Sequence, residues 1–217
     1  MTLIAWDIET APLPESALGE ARQARRERQL RYVADRNPDQ SAAEQDRLVR
    51  STHPFLGWIC CISAVSGTID DGPRAPKSWT ATAPGEEADL IRAFAEAVNG
   101  FSGEVRWVTF NGKRFDVPYL EARTMTHGLS PPRADMRNTY PYSHAPHADL
   151  MNLWPFHYGL AGLCELLGVE SPKGEMAGAD VAGAVAAGEV ARVARYCERD
   201  VVATFACALA VRELLSL

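Results

Sequence analysis

The chain of 217 residues is long enough to bury one sizeable core and short for two, so we predict a single domain over residues 1–217. Its formal net charge of -6 argues against a protein that coats nucleic acid through a generally basic surface, because such proteins gain affinity by neutralising many phosphates. The longest apolar runs are too short to span a bilayer, and the N-terminal residues show no basic leader or cleavage site, so we expect a cytoplasmic protein with no membrane partner.

Strand-like composition dominates the first half of the chain. Four segments are rich in apolar, aromatic or alternating residues, at 3–9, 57–65, 77–82 and 104–110. Residues 14–52 are instead charged and rich in Ala and Arg, which predicts a helical insertion outside the central sheet. Six arginines fall within residues 22–36. They are typical of a solvated helix face, and a positive track for nucleic acid stays open as the alternative.

Helices dominate the second half of the chain. Apolar residues recur with a helical period at 86–98, 116–127, 160–168 and 189–215. Residues 147–151 form a short strand candidate between the second and third of these helices. Strands first, then helices alternating with strands, predict an α/β fold with a mixed central sheet flanked by helices.

The five cysteines indicate a reduced interior. They are odd in number, lie in apolar surroundings and show no Cys-x-x-Cys spacing. We therefore predict free thiols packed in the core, as is usual in a reducing compartment.

Acidic residues recur where these predicted elements meet. Asp7 and Glu9 alternate with apolar residues in the first strand and so share one face of it. Tyr196 and Asp200 lie four residues apart on the last helix, one above the other. Each pattern also has a structural explanation, because acids often end an edge strand and a Tyr often packs at the margin of an apolar stripe.

Asp116 lies at the junction between a strand and a helix. An Asp just before Val117-Pro118 is a good N-cap for the helix that follows. That explanation becomes less adequate once the acids are considered together, because clustered carboxylates repel each other unless cations lie between them. All-oxygen ligation favours Mg²⁺ or Mn²⁺, and the His and Cys spacing of a zinc site is missing.

Three short segments resemble a known family. DIET, NGKRFDVPYL and YCERD, in this order and at these distances, resemble the three motifs of the DEDD 3′–5′ exonucleases, in the subgroup with a Tyr in the third motif. The middle segment is especially similar to that of the proofreading domain of family-B DNA polymerases. HPFLGWICCISAV, HADLM and SPKGEMAG resemble a bacterial group of stand-alone predicted exonucleases. The resemblance extends from Leu3 to about Leu209 and is least specific in residues 14–52.

The resemblance implies a ribonuclease-H-like fold with four acids at one end of the sheet. In that scheme Asp7 bridges two divalent ions, Mg²⁺ or Mn²⁺. Glu9 and Asp200 complete the ligands of the first ion, and Asp116 helps to hold the second. Tyr196 would hydrogen-bond the attacking water. The expected reaction removes nucleoside 5′-monophosphates from the 3′ end of single-stranded nucleic acid, with DNA favoured over RNA.

The resemblance also implies contacts with the substrate. Asn111 and Phe115 would help to place the terminal nucleotides, and Tyr119 would stack near a base. Thr10 would offer its backbone N–H to the 3′ terminus. Core packing stays open as the alternative for Phe115 and Tyr119.

Two further residues receive supporting roles. Asp149, in HADLM, would hold the metal ligands in place, with a strand-end cap as the equal alternative. Lys173, in the turn SPKGEMAG, would contact a phosphate, although a solvated loop Lys is the usual case.

Two other functions stay open. One is a non-catalytic nucleic-acid-binding module of the same fold, against which the intact acids and Tyr196 argue. The other is an exonuclease or endonuclease directed at RNA. A polymerase domain does not fit in 217 residues, so a proofreading role would need a polymerase or repair partner in trans.

Overall fold

A mixed sheet forms the centre of the computed structural model, which describes residues 1–172, 174 and 176–217. In those residues the strands are β1 (Thr2–Pro12), β2 (Gly57–Thr68), β3 (Gly72–Pro73), β4 (Lys77–Thr80), β5 (Val105–Thr109) and β6 (His147–Asp149). The order is β3-β2-β1-β5-β6, and β4 also pairs with β2. β1 is antiparallel to β2 and parallel to β5, which is parallel to β6. The predicted mixed sheet is confirmed.

The α-helices of the described residues are α1 (Glu20–Ala34), α2 (Ala42–Thr52), α3 (Glu87–Asn99), α4 (Asp116–Thr126), α5 (Leu160–Leu167), α6 (Val181–Ala186), α7 (Val190–Ala210) and α8 (Arg212–Leu215). The prediction of one helix over residues 189–215 is wrong at its end. The helix stops at Ala210, and Val211 leaves helical geometry before α8 begins. Val211 and Leu215 both pack into the core on either side of this break.

The two faces of β1 pack against different helices. Ile4 and Trp6 belong to a core cluster that includes Phe94 of α3, whose ring centroid lies 5.9 Å from that of Trp6. Leu3 and Ala5 point the other way, into a cluster built from α5 and the second half of α7. The side chains at positions 7 and 9 continue this second row, so strand alternation directs both toward α7.

The helices predicted for residues 14–52 are present as α1 and α2, and neither belongs to the sheet. α1 has no fully buried residue. Ion pairs join the two helices, because Arg26 and Arg50 both contact Asp46 and Glu15. Arg50 also donates a hydrogen bond to the carbonyl oxygen of Leu13, just after β1. The charge of this segment therefore serves partly to attach α1 and α2 to the end of β1.

All five cysteines are buried and unpaired, as predicted. Among the described residues, the helices are all too short or too polar to cross a bilayer.

Candidate active site

The sheet leaves a gap beside the second half of β1. β5 pairs with β1 only as far as Ala5, and β5 ends at Thr109, where the chain turns away toward α4. β1 continues past that point. A cavity of about 320 Å³ lies there, and it is lined by Asp7, Glu9, Asn111, Phe115, Asp116, Tyr196 and Asp200 among others. We call it the acidic cavity. The structure thus brings together residues from three segments that are far apart in sequence.

Asp116 occupies this cavity in a way that differs from the predicted cap. α4 begins at Asp116 itself, and its cap position is Phe115, whose side chain makes no capping hydrogen bond. The carboxylate is 2% exposed and accepts a hydrogen bond of 3.0 Å from the backbone N–H of Ile8. The N-cap, which was the structural alternative for Asp116, is therefore not its role, because the carboxylate turns from the helix toward β1.

Burial and mutual repulsion raise the pKa values of the acids. Burial raises the pKa of Asp7 well above its usual range, and the charges of Asp116 and Glu9 raise it further. Burial also raises the pKa of Glu9, with a second contribution from the charge of Asp200. Asp116 reaches a pKa of about 7 and Asp200 a pKa of about 6, in both cases mainly through burial.

The cationic side chains of the described residues form no ion pair with this cluster. Every ion pair of a Lys, Arg or His in the described residues involves a carboxylate outside the set of Asp7, Glu9, Asp116 and Asp200. Burial raises the pKa of Asp200, and the charge of Arg199 lowers it without an ion pair between the two side chains. An arrangement of buried, unpaired carboxylates is unfavourable at neutral pH unless an external cation binds.

Tyr196 and Asp200 lie one turn apart on α7. Burial raises the pKa of Asp200, and the nearby hydroxyl of Tyr196 acts in the opposite direction and lowers it. Burial raises the pKa of Tyr196 above its usual value, and the charges of Asp200 and Glu9 raise it further. The phenol therefore stays protonated at physiological pH and can act as a hydrogen-bond donor within the cavity.

Cys197 is a neighbour of the acids that sequence reasoning placed only in the core. Its Sγ lies 3.6 Å from the carbonyl oxygen of Asp7 and 3.7 Å from Oδ2 of the same residue. Ligand atoms of Asp7, Glu9 and Cys197 all lie within 4.8 Å of one another. Burial raises the pKa of Cys197 well above its usual value, so the thiol stays protonated and donates to Asp7. The only signal in the sequence was its position directly after Tyr196.

Asp149 supports the turn that carries Asn111. It is 2% exposed, and it does not line the acidic cavity. Its Oδ1 accepts hydrogen bonds from the backbone N–H groups of Asn111 at 2.7 Å and Met151 at 3.1 Å. Its Oδ2 accepts a hydrogen bond of 3.0 Å from the backbone N–H of Lys113. Asn111 adopts a left-handed backbone with φ of 67°. Asp149 thus caps the end of β6 and also holds this strained turn in place.

Phe115 and Thr10 lie at the border of the acidic cavity. Phe115 is half-buried and lines both this cavity and a neighbouring one of about 420 Å³. Thr10 is 8% exposed and lines only the neighbouring cavity, beside Glu9. Both positions are compatible with the contacts predicted for them.

Tyr119 does not reach either cavity. Its side chain is 1% exposed, and its hydroxyl donates a hydrogen bond of 3.0 Å to the carbonyl oxygen of Ser51. The predicted stacking of Tyr119 on a base is therefore wrong, because the ring fills the core between α4 and α2. Lys173 lies outside the described residues.

A family of proteins and several solved structures are similar to this chain. Residues 56–215 match a family of predicted 3′–5′ exonucleases related to the exonuclease domain of PolB. The match does not include Asp7 and Glu9. The sequence has no significant match among curated proteins.

Two solved structures are similar to this one. The family B DNA polymerase of Pyrobaculum calidifontis has a TM-score of 0.62 at 19% identity, over 96% of this chain and 24% of the polymerase. Exonuclease I of E. coli, in complex with a dT13 oligonucleotide, has a TM-score of 0.50 at 14% identity, over 97% of this chain and 41% of the exonuclease. The chain thus spans less than half the length of either protein. At these identities the similarity shows a common fold, and it confirms the predicted ribonuclease-H-like fold.

Proposed function

Because the chain belongs to the family of predicted 3′–5′ exonucleases related to the exonuclease domain of PolB, we propose that it degrades single-stranded nucleic acid from the 3′ end. DNA is the favoured substrate, and nucleoside 5′-monophosphates are the products. The observation that carries the proposal is the acidic cavity, which is lined by four buried or half-buried carboxylates and by the protonated phenol of Tyr196. The dT13 oligonucleotide bound to exonuclease I, which has a similar fold, supports a single-stranded DNA substrate.

The carboxylates fit a pair of hard divalent cations. Their pKa values are raised, and in the described residues they form no ion pair, so an external cation would relieve their repulsion. Oxygen ligands favour Mg²⁺ or Mn²⁺. The ligands would be Asp7, Glu9, Asp116 and Asp200. When bound, two such ions lower the pKa of a water and stabilise the attacking and leaving oxygens of a displacement at phosphorus.

The other side chains of the cavity position the reacting groups. Tyr196 orients the attacking water by hydrogen bonding, since its raised pKa keeps the hydroxyl protonated and the ring lines the same cavity as the carboxylates. Asn111 and Phe115 line the same cavity and place the terminal nucleotide. Thr10 offers its backbone N–H to the 3′ terminus from the neighbouring cavity. Correct placement of this kind accounts for much of the rate in phosphoryl transfer.

The test is a time course with 5′-labelled single-stranded DNA and RNA in Mg²⁺ or Mn²⁺. We expect a ladder of products that shorten from the 3′ end, faster on DNA than on RNA. Asp7→Asn should remove the ladder. Asp70→Asn, an exposed acid between β2 and β3, is the matched control and should cleave as the parent does.

Other results of the same assay would replace this function with another. Internal cuts would indicate an endonuclease. Faster degradation of RNA would indicate an RNA-directed exonuclease. Binding without cleavage in either metal would indicate a binding module that keeps the fold.

A further inference from the structure

The segment between β6 and α5 has an unusual composition. Residues 150–159 contain no Asp, Glu, Lys or Arg, whereas 23% of the chain is charged. The segment includes Trp154, Phe156 and Tyr158. None of these residues has a role in the proposed chemistry.

The aromatic rings of this segment form a continuous surface that begins in the acidic cavity. Phe110 and Tyr158 both line that cavity, and their ring centroids lie 6.0 Å apart. Phe156 lies 5.6 Å from Tyr158, and Trp154 lies 5.9 Å from Phe156 with the two rings nearly parallel, at 6°. We call Phe110, Trp154, Phe156 and Tyr158 the aromatic strip.

The aromatic strip is anchored on one side and open on the other. Phe110, Trp154 and Tyr158 are partly buried and pack against the core cluster under α5 and α7. The hydroxyl of Tyr158 donates a hydrogen bond of 2.6 Å to the carbonyl oxygen of Leu150, which fixes its ring. Phe156 is 57% exposed. The rings of Trp154, Phe156 and Tyr158 lie 5.6 to 5.9 Å from one another and so form a compact cluster, of which Phe156 is the exposed member. A cluster of rings that is held by the core and partly exposed is a suitable platform for a planar ligand.

We propose that the aromatic strip binds the unpaired bases of a single strand whose 3′ end lies in the acidic cavity. This inference rests on the proposed function and specifies how the substrate is held. Every base has a π-face, so stacking on such rings is independent of sequence. Bases in an intact duplex are already stacked on each other and cannot use the strip. It therefore selects single-stranded ends of any sequence.

The absence of charge in the segment separates this contact from a phosphate contact. Binding to phosphates releases counterions and depends steeply on salt, whereas stacking on an uncharged ring does not. A loss of the strip should weaken binding by the same factor at every salt concentration.

The experiment measures the affinity for labelled oligo(dT) with phosphorothioate linkages at its 3′ end, in Mg²⁺, across a salt series. We expect Phe156→Ala to weaken binding about tenfold, the effect of one lost base stack, with an unchanged salt slope. Phe156→Tyr should bind as the parent does. Tyr142→Ala, at a ring in the loop before β6 that is 81% exposed and does not line the acidic cavity, is the control and should leave the affinity unchanged.

A second measurement follows the bases themselves. An oligonucleotide with abasic sites in its last four positions should bind the parent and Phe156→Ala equally, because it has nothing to stack. The aromatic strip is not a base platform if Phe156→Ala binds oligo(dT) as tightly as the parent does. The same conclusion follows if Phe156→Ala loses as much affinity for the abasic oligonucleotide as for oligo(dT). That result is distinct from a failure of the proposed function, in which the parent would bind or cleave no 3′ end at all.

Discussion

The backbone N–H of Ile8 donates a hydrogen bond of 3.0 Å to Oδ1 of Asp116, 108 residues away in sequence. Ile8 lies between Asp7 and Glu9, so this bond attaches the strand that carries two acids to the helix that begins with a third. β5 pairs with β1 only as far as Ala5, so the N–H of Ile8 has no partner in β5 and is available to Asp116. This hydrogen bond therefore holds the carboxylate of Asp116 next to those of Asp7 and Glu9.

Replacing Asp116 with Asn should separate catalysis from folding. The Asn side chain can still accept from Ile8, so we expect the free energy of unfolding to stay within about 1 kcal/mol of the parent. Activity should fall by more than about 100-fold, because even residues that only support metal ligands cost 10–100-fold when lost. Nuclease assays and urea unfolding of the same sample measure both effects. Asp116→Ala should lose activity and, in addition, about 1–3 kcal/mol in the free energy of unfolding, since the N–H of Ile8 is left unpaired. An Asp116→Asn variant with parental activity would contradict the proposed site.

Replacing Tyr196 with Phe should slow the reaction without changing its dependence on alkaline pH. The raised pKa of Tyr196 keeps its hydroxyl protonated throughout the working range, so it acts as a donor rather than a base. Loss of one hydrogen bond to a charged group lowers kcat by about 10- to 100-fold. Steady-state kinetics from pH 6 to about pH 9 provide the check. A variant that lost the alkaline limb of the profile would instead show that the phenol titrates during turnover.

Asp149 should matter for stability through the turn it holds. Asp149→Ala leaves three backbone N–H groups without their acceptor, and we expect a loss of about 2–4 kcal/mol in urea unfolding. Asp149→Asn keeps one acceptor oxygen and should lose less. Asp149→Asn has the shape of the parental side chain, so it isolates the change in hydrogen bonding from the loss of volume in Asp149→Ala. Equal stability of Asp149→Ala and the parent would mean that water replaces the carboxylate in this turn.

Divalent metal should stabilise the protein more at high pH than at low pH. The pKa values of Asp116 and Asp200 are raised to about 7 and about 6, above the value near 4 of an unfolded chain. The stability that these groups contribute in metal-free protein is therefore complete below about pH 4 and is lost as the pH rises through 6 and 7. A cation binds the ionised carboxylates and restores it.

Thermal unfolding in EDTA and in Mg²⁺ provides the measurement. We expect a gain in Tm of about 5 °C at pH 8 with metal in large excess, and a much smaller gain at pH 5. Asp7→Asn should reduce the gain at pH 8. NaCl at matched ionic strength controls for general screening. Equal gains at both pH values would exclude binding through these carboxylates.

Much of the fold and of the site could be predicted from local pattern. The alternation in β1 placed the side chains of Asp7 and Glu9 on one face, and the period of the last helix placed Tyr196 and Asp200 together. These inferences succeed because side-chain direction follows directly from secondary structure. The order and spacing of the three motifs then identified the family.

The sequence by itself therefore determined the types of element, the row of acids and the family. Only the tertiary structure decided that Asp116 accepts from Ile8 rather than capping α4, that Tyr119 fills the core against α2, and that Phe156 remains exposed beside the acidic cavity. The physical reason is that local pattern specifies which way a side chain points on its own element. Its partner comes from another element, and that choice depends on how the whole chain packs.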